Sequence, residues 1–495
     1  MTALGVPARV RTPRVTRVVP VAAGRLLRLE LRRNAMIWTL PLLAALFWFD
    51  TYRRATGLPP LWTVRGMAMQ WRAMFEFLPF VAGVAAWTGS RDGRRRITDL
   101  VGVTARPGWV RQLSGWAATT CWAEAAYLGC AAVLYGVTAA QATWGGPVWW
   151  PLAVGATCIA AATALGFAAG ALLSSRFTPP LVVVVTLMLL VVVSPSANSD
   201  AVGRLSPLST ETLGTSAGIF HSFIPDLSIA QLMFYGGIAV AVLGALGLPA
   251  IAGGWRLRSA AAVVTVAGLA AAGTGVGLAG TSDVTANGVV IPALHDTASD
   301  RPTPYTPACD HGGSTIPVCL HPAFKTYLPA LIAALDPLLG EVAGLPGAPV
   351  RVTQTASLQF DADATIDGSP PVLHLTVFVP TDTVPNSRYT TDDFVDPPQL
   401  AAAATITRTL IGVDSSGGGS PAQQAVAAAL LKAANVPLPP PGVGLPTPGQ
   451  MPPAGSPAYA AAQRFAALPA ATRHAWLAAH LSTLRAGHVT LAQLP

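Results

Sequence analysis

The chain has 495 residues, of which 52% are hydrophobic and only 11% are charged, and its mean hydropathy is +0.49. Soluble domains carry about 25% charged residues, so this composition excludes an ordinary soluble protein. The net charge of +8 is divided unevenly: residues 1–281 carry an excess of 13 positive charges, and residues 282–495 an excess of 5 negative charges. A basic half interleaved with apolar runs is typical of a membrane protein and argues against nucleic-acid binding.

In chain order, the first distinctive segment is a basic amphipathic stretch before the first apolar run. In "VAAGRLLRLELRRNAMIW", leucines are interspersed with Arg25, Arg28, Arg32 and Arg33. Such a helix would lie in the membrane interface, with its leucines at the acyl boundary and its arginines at anionic headgroups. The simpler interpretation is positive charge that only flanks a membrane span.

Seven apolar runs are candidates for membrane spans, each of which needs about 20 mainly apolar residues, or fewer with interfacial anchors. We predict spans over 35–50, 73–89, 112–137, 148–173, 179–195, 229–253 and 259–281. The segments on the side of the N-terminus carry 17 Arg, and the short loops on the opposite side carry 5. The positive-inside rule therefore places residues 1–34 in the cytoplasm and residues 282–495 outside. The loop 51–72 is discordant, because it carries four Arg on the predicted outer side.

Residues 282–495 predict a small extracytoplasmic α+β domain after a linker that extends to about residue 306. The segment "FKTYLPALIAALDPLLGEVAG" predicts an amphipathic helix, and "VRVTQTASLQF" and "PVLHLTVFV" predict strands around the turn "DADATIDGSP". Further helices are predicted over 398–411, 421–435 and 457–485, with a Pro-rich linker at 436–456. The predicted fold class is mainly α: a polytopic helical membrane domain of six spans (35–253) and a seventh (254–281), followed by this α+β domain.

The loop "SRDGRRRITDLVGVTARPGWVRQLSGW" combines the charge of a cytoplasmic face with apolar residues. Asp92 can cap a short helix that starts near Gly93, and Arg106-Pro107-Gly108 would end it. A short amphipathic helix held parallel to the membrane would suit the docking of a cytosolic partner.

Over roughly residues 22–253 the chain resembles the permease subunits of ABC exporters of the six-span drug- and polysaccharide-efflux class. The resemblance rests on the elbow-like "RLLRLELRRN", the loop "DGRRRITDLVGVTARPGWVRQLSGW", "LGFAAGALLSSRFTPPLVVVV" and the outward "RLSPLSTETLGTSAGIFHSFIPDLS". It implies a homodimer or paired permease and a coupling loop that docks into an ATP-binding subunit. That docking role would fall to Arg94, Arg95, Arg96, Ile97 and Leu100. The seventh span and the C-terminal domain depart from the six-span family.

The chain has no phosphate-binding loop of the form G-x-x-x-x-G-K-[ST], since neither Lys325 nor Lys432 has that context. ATP and Mg²⁺ would therefore bind to separate ATPase subunits, and this chain would bind no cofactor directly. We expect a permease subunit in the bacterial cytoplasmic membrane that exports an unidentified lipophilic substrate. The alternative is a membrane-anchored cell-envelope sensor or interaction protein whose outer domain binds a partner. Seven spans are more than an anchor needs.

Glu124 lies near the middle of the third predicted span, in "TTCWAEAAYLGC". A carboxylate costs several kcal/mol in hydrocarbon, so an intramembrane glutamate is a candidate for function. A structural hydrogen bond to a neighbouring helix would explain it equally well. Glu76 lies closer to a membrane end and is the weaker candidate.

The stretch "CDHGGSTIPVCLH" contains two Cys-x-His pairs, Cys309 with His311 and Cys319 with His321, which are residue types that bind zinc. An oxidising exterior favours a disulfide between Cys309 and Cys319 over zinc or free thiols. The two histidines are then expected to play no part. The H-E-x-x-H motif is missing, and the G-x-S-x-G match "GTSAG" at 214–218 lies in the outward loop between predicted spans, so no nucleophile stands out in the C-terminal domain. The sequence therefore predicts no metal site, no catalytic residue and no enzyme.

Overall fold

The computed structural model describes residues 19–57, 59–94, 108–193, 201–210, 217–248, 254–285, 288–355, 364–376, 398–413, 418–436 and 451–495. It is mainly helical, with a small sheet region in the C-terminal part. Within these residues, five helical stretches are long and apolar enough to cross a membrane: Gly24–Gly57, Gly108–Gln141, Trp150–Leu172, Asp226–Ala245 and Trp255–Gly280. A shorter apolar helix covers Thr178–Val192. The length and composition of these helices indicate a membrane-embedded protein.

The first half of the chain is a series of helices. It begins with α1 Val19–Arg32, a 3₁₀ turn Ala35–Thr39, α2 Leu40–Leu46, a π-helical segment Phe47–Tyr52 and α3 Arg53–Gly57. It continues with α4 Trp62–Gly89, α5 Arg91–Arg94, α6 Gly108–Gln141, α7 Trp150–Leu172 and α8 Thr178–Val193. The last members are α9 Ala201–Arg204, α10 Ala217–Phe220, α11 Asp226–Ala245 and α12 Gly254–Gly280.

Every predicted span overlaps a helix, but the ends of the first two differ from the prediction. Helical structure continues to Gly57 rather than to residue 50, and α4 begins at Trp62 rather than at residue 73. The segment 51–72 is therefore largely helical, and its four arginines lie on α3 and α4 rather than in a loop. Charged side chains on α4 also lower its hydropathy, so this helix is not among the five stretches above. The count of seven spans stays a prediction.

The helix α4 lies at the centre of the bundle. It packs against α6, α7 and α8, and nineteen of its 28 residues are buried. Three of the buried residues are Arg65, Gln70 and Glu76. Side chains of this kind are costly against lipid, so a helix that carries them is stable in a membrane when other helices surround it.

The helix α12 packs along α11 through glycines. An added Cβ at Gly268 would lie 2.3 Å from Ala241 N, and one at Gly237 would lie 2.4 Å from Ala272 N. The opposite face of α12 is exposed and apolar, as at Val263 and Val266. Small residues on one face and branched apolar residues on the other are typical of a membrane helix that packs on a neighbour and faces lipid.

The C-terminal region, residues 282–495, contains two sheets and five helices of eight or more residues among the described positions. The strands are β1 Asp283–Thr285, β2 Gly288–Val290, β3 Ala308–Asp310, β4 Val318–Leu320, β5 Arg351–Thr355, β6 Ala364–Asp367 and β7 Val372–Thr376. The helices are α13 Leu328–Val342, α14 Pro398–Ile406, α15 Pro421–Ala433, α16 Pro457–Ala467 and α17 Ala470–Arg485. A π-helical segment Thr407–Ile411 extends α14, and short 3₁₀ helices cover Thr297–Asp300, Pro322–Tyr327 and Leu491–Gln493.

The larger sheet has the strand order β3-β4-β5-β7-β6. The central pairs β4–β5 and β5–β7 are parallel, and the two outer pairs are antiparallel. A parallel pair needs a crossover connection, and α13 supplies it between β4 and β5. Val318, Val352 and Leu373 occupy neighbouring register positions and belong to the same buried core as Leu335 of α13.

Two sequence expectations for this region are wrong. The predicted turn "DADATIDGSP" contains the strand β6, which pairs with β7, so β5 is the parallel neighbour of β7 rather than its hairpin partner. The predicted linker after residue 281 contains the β1–β2 hairpin, which is followed by Ile291, whose backbone N–H donates to Asp226 Oδ2 at 2.9 Å. The strands β1, β2 and β6 are each three or four residues long, which is too short to show the two-residue alternation of a strand in the sequence. Residues 437–450 of the predicted Pro-rich linker lie outside the described residues.

Candidate functional site

Glu124 lies on α6 with one carboxyl oxygen, Oε2, buried and without a hydrogen-bond partner. Tyr127 and Cys158 are close enough to interact with it electrostatically, and both are buried. The alternative role of Glu124 was a structural hydrogen bond to a neighbouring helix. The oxygen Oε2 makes no such bond. The carboxyl group remains available to a proton, a cation or a polar group of a substrate.

Glu76 on α4, which the sequence ranked below Glu124, is also in the bundle interior. Thr51 donates its hydroxyl to Glu76 Oε1 at 3.0 Å, and Glu76 Oε2 is buried without a partner. Asp50 lies beside it and forms an ion pair with Arg54 at 2.6 Å. Glu76 was ranked as the weaker candidate because the predicted span began at residue 73, which placed Glu76 near a membrane end. The helix α4 begins eleven residues earlier, so Glu76 lies at its middle.

A second polar cluster, which the sequence did not suggest, connects α4 to α11. Gln70 Nε2 donates to Gln231 Oε1 at 3.0 Å and to Ser209 O at 2.7 Å. Gln231 Nε2 in turn lies within hydrogen-bond distance of the carbonyl oxygens of Arg204, Ser206 and Ser209. Both amides are buried, so the bonds hold the segment 201–210 inside the bundle. The available sequence signal was an isolated glutamine in each apolar helix.

The predicted docking loop lies between α5 and α6. Arg94 ends α5, and its guanidinium lies 3.5 Å from the centroid of the Trp87 ring while Nη2 donates to Trp87 O at 2.8 Å. The other docking candidates, Arg95, Arg96, Ile97 and Leu100, lie outside the described residues. The structure therefore places one member of the set, Arg94.

Ion pairs join both ends of this loop to the rest of the bundle. Arg91 donates to the two carboxyl oxygens of Glu30 at 2.9 and 2.8 Å, which ties α1 to the start of α5. Asp92 lies 3.3 Å from Arg111 at the start of α6. Asp92 therefore pairs with one arginine across the loop, Arg111. The segment predicted as an interfacial helix is helical as α1, and its Glu30 pairs with Arg91 of α5, which directly precedes the docking loop.

Cys309 and Cys319 form the predicted disulfide, with their Cα atoms 4.0 Å apart. They are directly opposed on the antiparallel pair β3–β4. Within the described part of the chain, no group of three His, Cys, Asp or Glu residues is placed to hold a metal ion. The predicted staple at the start of the C-terminal region is confirmed.

His321 has a structural role, contrary to the sequence expectation, whereas His311 is exposed. The imidazole of His321 is fully buried, and its Nδ1 accepts a hydrogen bond from Ala323 N at 3.1 Å. Trp144, Phe220 and Tyr305 surround the ring, with centroid distances of 5.0, 5.3 and 4.3 Å. Because Trp144 lies in the loop after α6 and Phe220 ends α10, His321 lies where the C-terminal region meets the helical bundle.

The two ends of α4 are thus distinguished by their contacts. Its first turn contributes Val64 to the core of the C-terminal region, while α1 and α5 lie at its other end. Arg65 in that first turn is buried and donates to Thr138 Oγ1 at 3.2 Å and to Gln141 Oε1 at 2.7 Å. Arg65, one of the four arginines that disagreed with the charge rule, is therefore buried and hydrogen-bonded through two of its nitrogens rather than exposed in a loop.

Comparison of the chain with family models, with curated proteins and with solved structures gave no match. No family is assigned to the chain, and the resemblance over residues 22–253 stays a prediction.

Proposed function

We propose that this protein is the membrane-spanning subunit of an ATP-driven exporter in the bacterial cytoplasmic membrane. Its N-terminus lies in the cytoplasm and residues 282–495 lie outside. Two permease subunits form the translocation pathway, and separate ATPase subunits bind ATP and Mg²⁺. The observation that carries the proposal is the pair of carboxyl groups on α4 and α6, Glu76 and Glu124, each with a buried oxygen that lacks a hydrogen-bond partner. A membrane anchor gains nothing from such groups, whereas a pathway for a polar or ionic species uses them.

The contacts around the docking loop support coupling to an ATPase. Through Arg91 and Asp92 the base of the loop is bound to α1 and to α6, and it continues directly from α4. A partner that moves this loop would therefore move three helices of the bundle together. The helix α4 carries Glu76, so the movement would reach a buried carboxyl group.

The first experiment isolates the protein from its native membranes and measures bound ATPase activity. Exchange of Arg94, Arg95 and Arg96 for glutamate should abolish ATPase association, because the docking surface changes sign. The matched control exchanges Arg256 and Arg258, which lie on the same predicted side at the start of α12, and should retain the ATPase. If the intact wild-type protein carries no ATPase, the exporter proposal fails.

The second arm of this experiment addresses the carboxyl groups of Glu76 and Glu124. Glu124→Gln and Glu76→Gln keep the size of the side chain and remove its charge, so both variants should still bind the ATPase. We expect them to lose coupling, seen as a loss of transport into inverted vesicles while ATP hydrolysis persists. Unchanged transport in both variants would remove the carboxyl groups from the mechanism.

The second candidate function is a membrane-anchored sensor or interaction protein. It is favoured by the size of the C-terminal core, which contains a five-stranded sheet and helices α13 to α17. A protein of this kind would bind a partner through residues 282–495 without any ATPase. The native-membrane isolation separates the two functions, since only the exporter co-purifies with ATP hydrolysis.

A further inference from the structure

The carboxyl group of Glu76 is enclosed between α4 and the π-helical segment Phe47–Tyr52. Thr51 of that segment donates its hydroxyl to Glu76 Oε1 at 3.0 Å, while Oε2 is buried without a hydrogen-bond partner. Glu76 is 8% exposed. A carboxylate in such a place loses hydration that one hydroxyl cannot replace, and buried carboxyl groups take up a proton instead. Glu76 is therefore stable there as the neutral acid.

A second carboxyl group, that of Asp50, lies beside Glu76 and is ionised. Asp50 is close enough to interact with Glu76 electrostatically. Its own partners are Arg54 Nε at 2.6 Å and Arg72 Nη1 at 3.9 Å, and Arg72 lies one helical turn before Glu76. Arginine stays charged in proteins, so these contacts keep Asp50 negative. Because two adjacent carboxyl groups are costly to ionise together, the pair shares one proton, which Glu76 carries.

The irregular backbone of the π-helical segment directs two consecutive side chains at α4. Asp50 pairs with Arg72, and the next residue, Thr51, bonds to Glu76. Consecutive residues of a regular α-helix point about 100° apart and do not share a face. π-helical turns are rare and frequently occur at functional sites, so the backbone marks this cluster independently of its charges.

The titratable groups on the other helices around Glu76 are a thiol and a second, separate carboxyl group. On α6, Cys130 is close enough to interact with Glu76, whereas Glu124 interacts with Tyr127 and with Cys158 of α7. The helix α8 carries no titratable residue. The charge of Glu76 is therefore governed by Asp50 and its two arginines.

Asp50 connects this cluster to the edge of the membrane. The side chains of Asp50 and Arg54 are each 40% exposed, and an exposed charged pair is stable in water or at the interface rather than in hydrocarbon. Trp48 is half exposed and stacks on Tyr52 with ring centroids 4.6 Å apart, as aromatic residues do at a membrane interface. The expected topology makes this the outer interface. Asp50 can therefore exchange protons with outer water on behalf of the buried Glu76.

A proton suits the cluster better than a metal ion. Ca²⁺ and Mg²⁺ take about six or more oxygen ligands, and the described residues contain no group of three His, Cys, Asp or Glu placed to hold a metal. The arginines beside Asp50 would also repel a metal cation. A proton needs only the free oxygen of Glu76.

We propose that Glu76 is a proton-binding site of the translocation pathway and that Asp50 passes its proton to and from the outer side. Glu76 Oε2 releases the proton to the Asp50 carboxylate, Asp50 releases it to water, and uptake follows the reverse order. The role in transport rests on the proposed function, because α4 joins Glu76 to the docking loop. The binding of the proton itself needs no ATPase.

The test uses the purified full-length protein in phosphatidylcholine nanodiscs without an ATPase. Dicyclohexylcarbodiimide enters apolar sites and adds to protonated carboxyl groups, and peptide mass spectrometry locates the adduct. Labelling of Glu76 should fall by about tenfold or more between pH 6.5 and pH 9.5, because the protonated fraction falls about tenfold with each pH unit above half-protonation. Glu76→Gln should lose this adduct and retain any adduct at Glu124.

Asp50→Asn tests the role of the neighbouring charge. The substitution removes the carboxylate to which Arg54 and Arg72 are bound, so both arginines can stabilise an ionised Glu76. Labelling of Glu76 at pH 8 should therefore fall about fivefold, with a normal elution volume and thermal transition.

The matched control is Asp367→Asn, which should leave the labelling of Glu76 unchanged. Asp367 also pairs with a basic residue, His374 at 2.9 Å, but it lies on β6 in the C-terminal region. In sealed right-side-out vesicles, the outer pH alone should control the labelling of Glu76.

Each other result overturns the proposal. No adduct at Glu76 at pH 6.5 would show an ionised group, and equal labelling at both pH values would show a proton that is not exchanged. Unchanged labelling in Asp50→Asn, an equal loss in Asp367→Asn, or control by the inner pH would exclude the route through Asp50. Protection by sodium chloride but not by choline chloride would indicate a metal cation. Normal labelling without any ATPase in native membranes would reject the exporter alone, whereas a bound ATPase without labelling would reject only the proton site.

Discussion

The buried imidazole of His321 is stable only in its neutral form. Nδ1 accepts the backbone N–H of Ala323, so the ring proton is on Nε2, which has no hydrogen-bond partner and is enclosed by aromatic rings. An N–H that points toward an aromatic face is weakly favourable, whereas a charged imidazolium in the same place loses its hydration. Burial accordingly lowers the pKa of His321 to about 4.

This pKa predicts a dependence of stability on pH. The unfolded chain binds a proton at His321 near pH 6.5, and the folded chain does so only near pH 4. The free energy of unfolding should therefore fall as the pH is lowered from about 6.5 to about 4, by about 3 kcal/mol from this group, and this contribution should be constant below that range. Denaturant titrations in detergent at pH 7, 5.5 and 4 would measure it.

The control for this pH dependence is the other histidine of the Cys-x-His pairs. His321→Phe keeps a buried aromatic ring and removes the titration, so this variant should lose that part of the slope between pH 6.5 and 4. His311→Asn should retain it, because His311 is exposed. A slope that persists unchanged in His321→Phe would contradict the argument.

At the scale of elements, the contact between α11 and α12 depends on a stripe of small residues. Ala261, Thr265, Gly268, Ala272 and Gly275 recur every three or four positions, which places them on one face of α12. A Cβ added at Gly268 would lie 2.3 Å from Ala241 N, so the two helices would have to separate to accommodate it. Close approach of backbones through glycine is a common way for membrane helices to pack.

Gly268→Ala should therefore destabilise the protein by about 1–3 kcal/mol, since an added methyl group must displace backbone atoms. Gly273→Ala is the matched control on the same helix. An added Cβ there meets nothing within 4 Å, and alanine is the better helix former, so this variant should be neutral or slightly stabilised. Thermal unfolding in detergent would compare the two; equal transition temperatures would show that the α11–α12 contact is not tight.

The elements differ in how well the sequence could predict them. Apolar runs located the helices, because burial in lipid or in a bundle requires them. The start of α4 was missed because Arg65 and Arg72 look like loop residues, and only tertiary contacts with Thr138, Gln141 and Asp50 stabilise them in a helix. The strand β6 was missed because four residues do not establish an alternation. The disulfide was predictable from counting the cysteines outside the spans.

The candidate site was less predictable than the fold. Glu124 was found because a lone carboxylate in an apolar run is conspicuous. The Gln70–Gln231 cluster was not, because nothing in one sequence indicates that two glutamines 161 positions apart will meet. The same reason applies to His321, whose aromatic neighbours come from three separate segments.

At the scale of the whole molecule, the C-terminal region and the helical bundle share one hydrophobic core. Leu61 and Val64, at the start of α4, belong to the same buried cluster as Leu373 of β7, and so do Ile219 and Phe220. Thr143, in the loop after α6, donates its hydroxyl to Pro322 O at 2.8 Å. The C-terminal region is therefore packed directly against the helical bundle. A displacement of α4 should change the packing of the C-terminal sheet.

This continuity predicts that a substitution in the bundle weakens the C-terminal sheet. Leu61→Ala removes a side chain with 2% exposure from the shared core and should cost about 2–5 kcal/mol. Hydrogen exchange at the amides of β5 and β7 should then accelerate, although Leu61 lies outside residues 282–495. Leu128→Ala is the matched control, because Leu128 on α6 is half exposed. If exchange in β5 and β7 is unchanged by Leu61→Ala, the C-terminal region is an independent domain, and movements of α4 cannot be transmitted to it through this core.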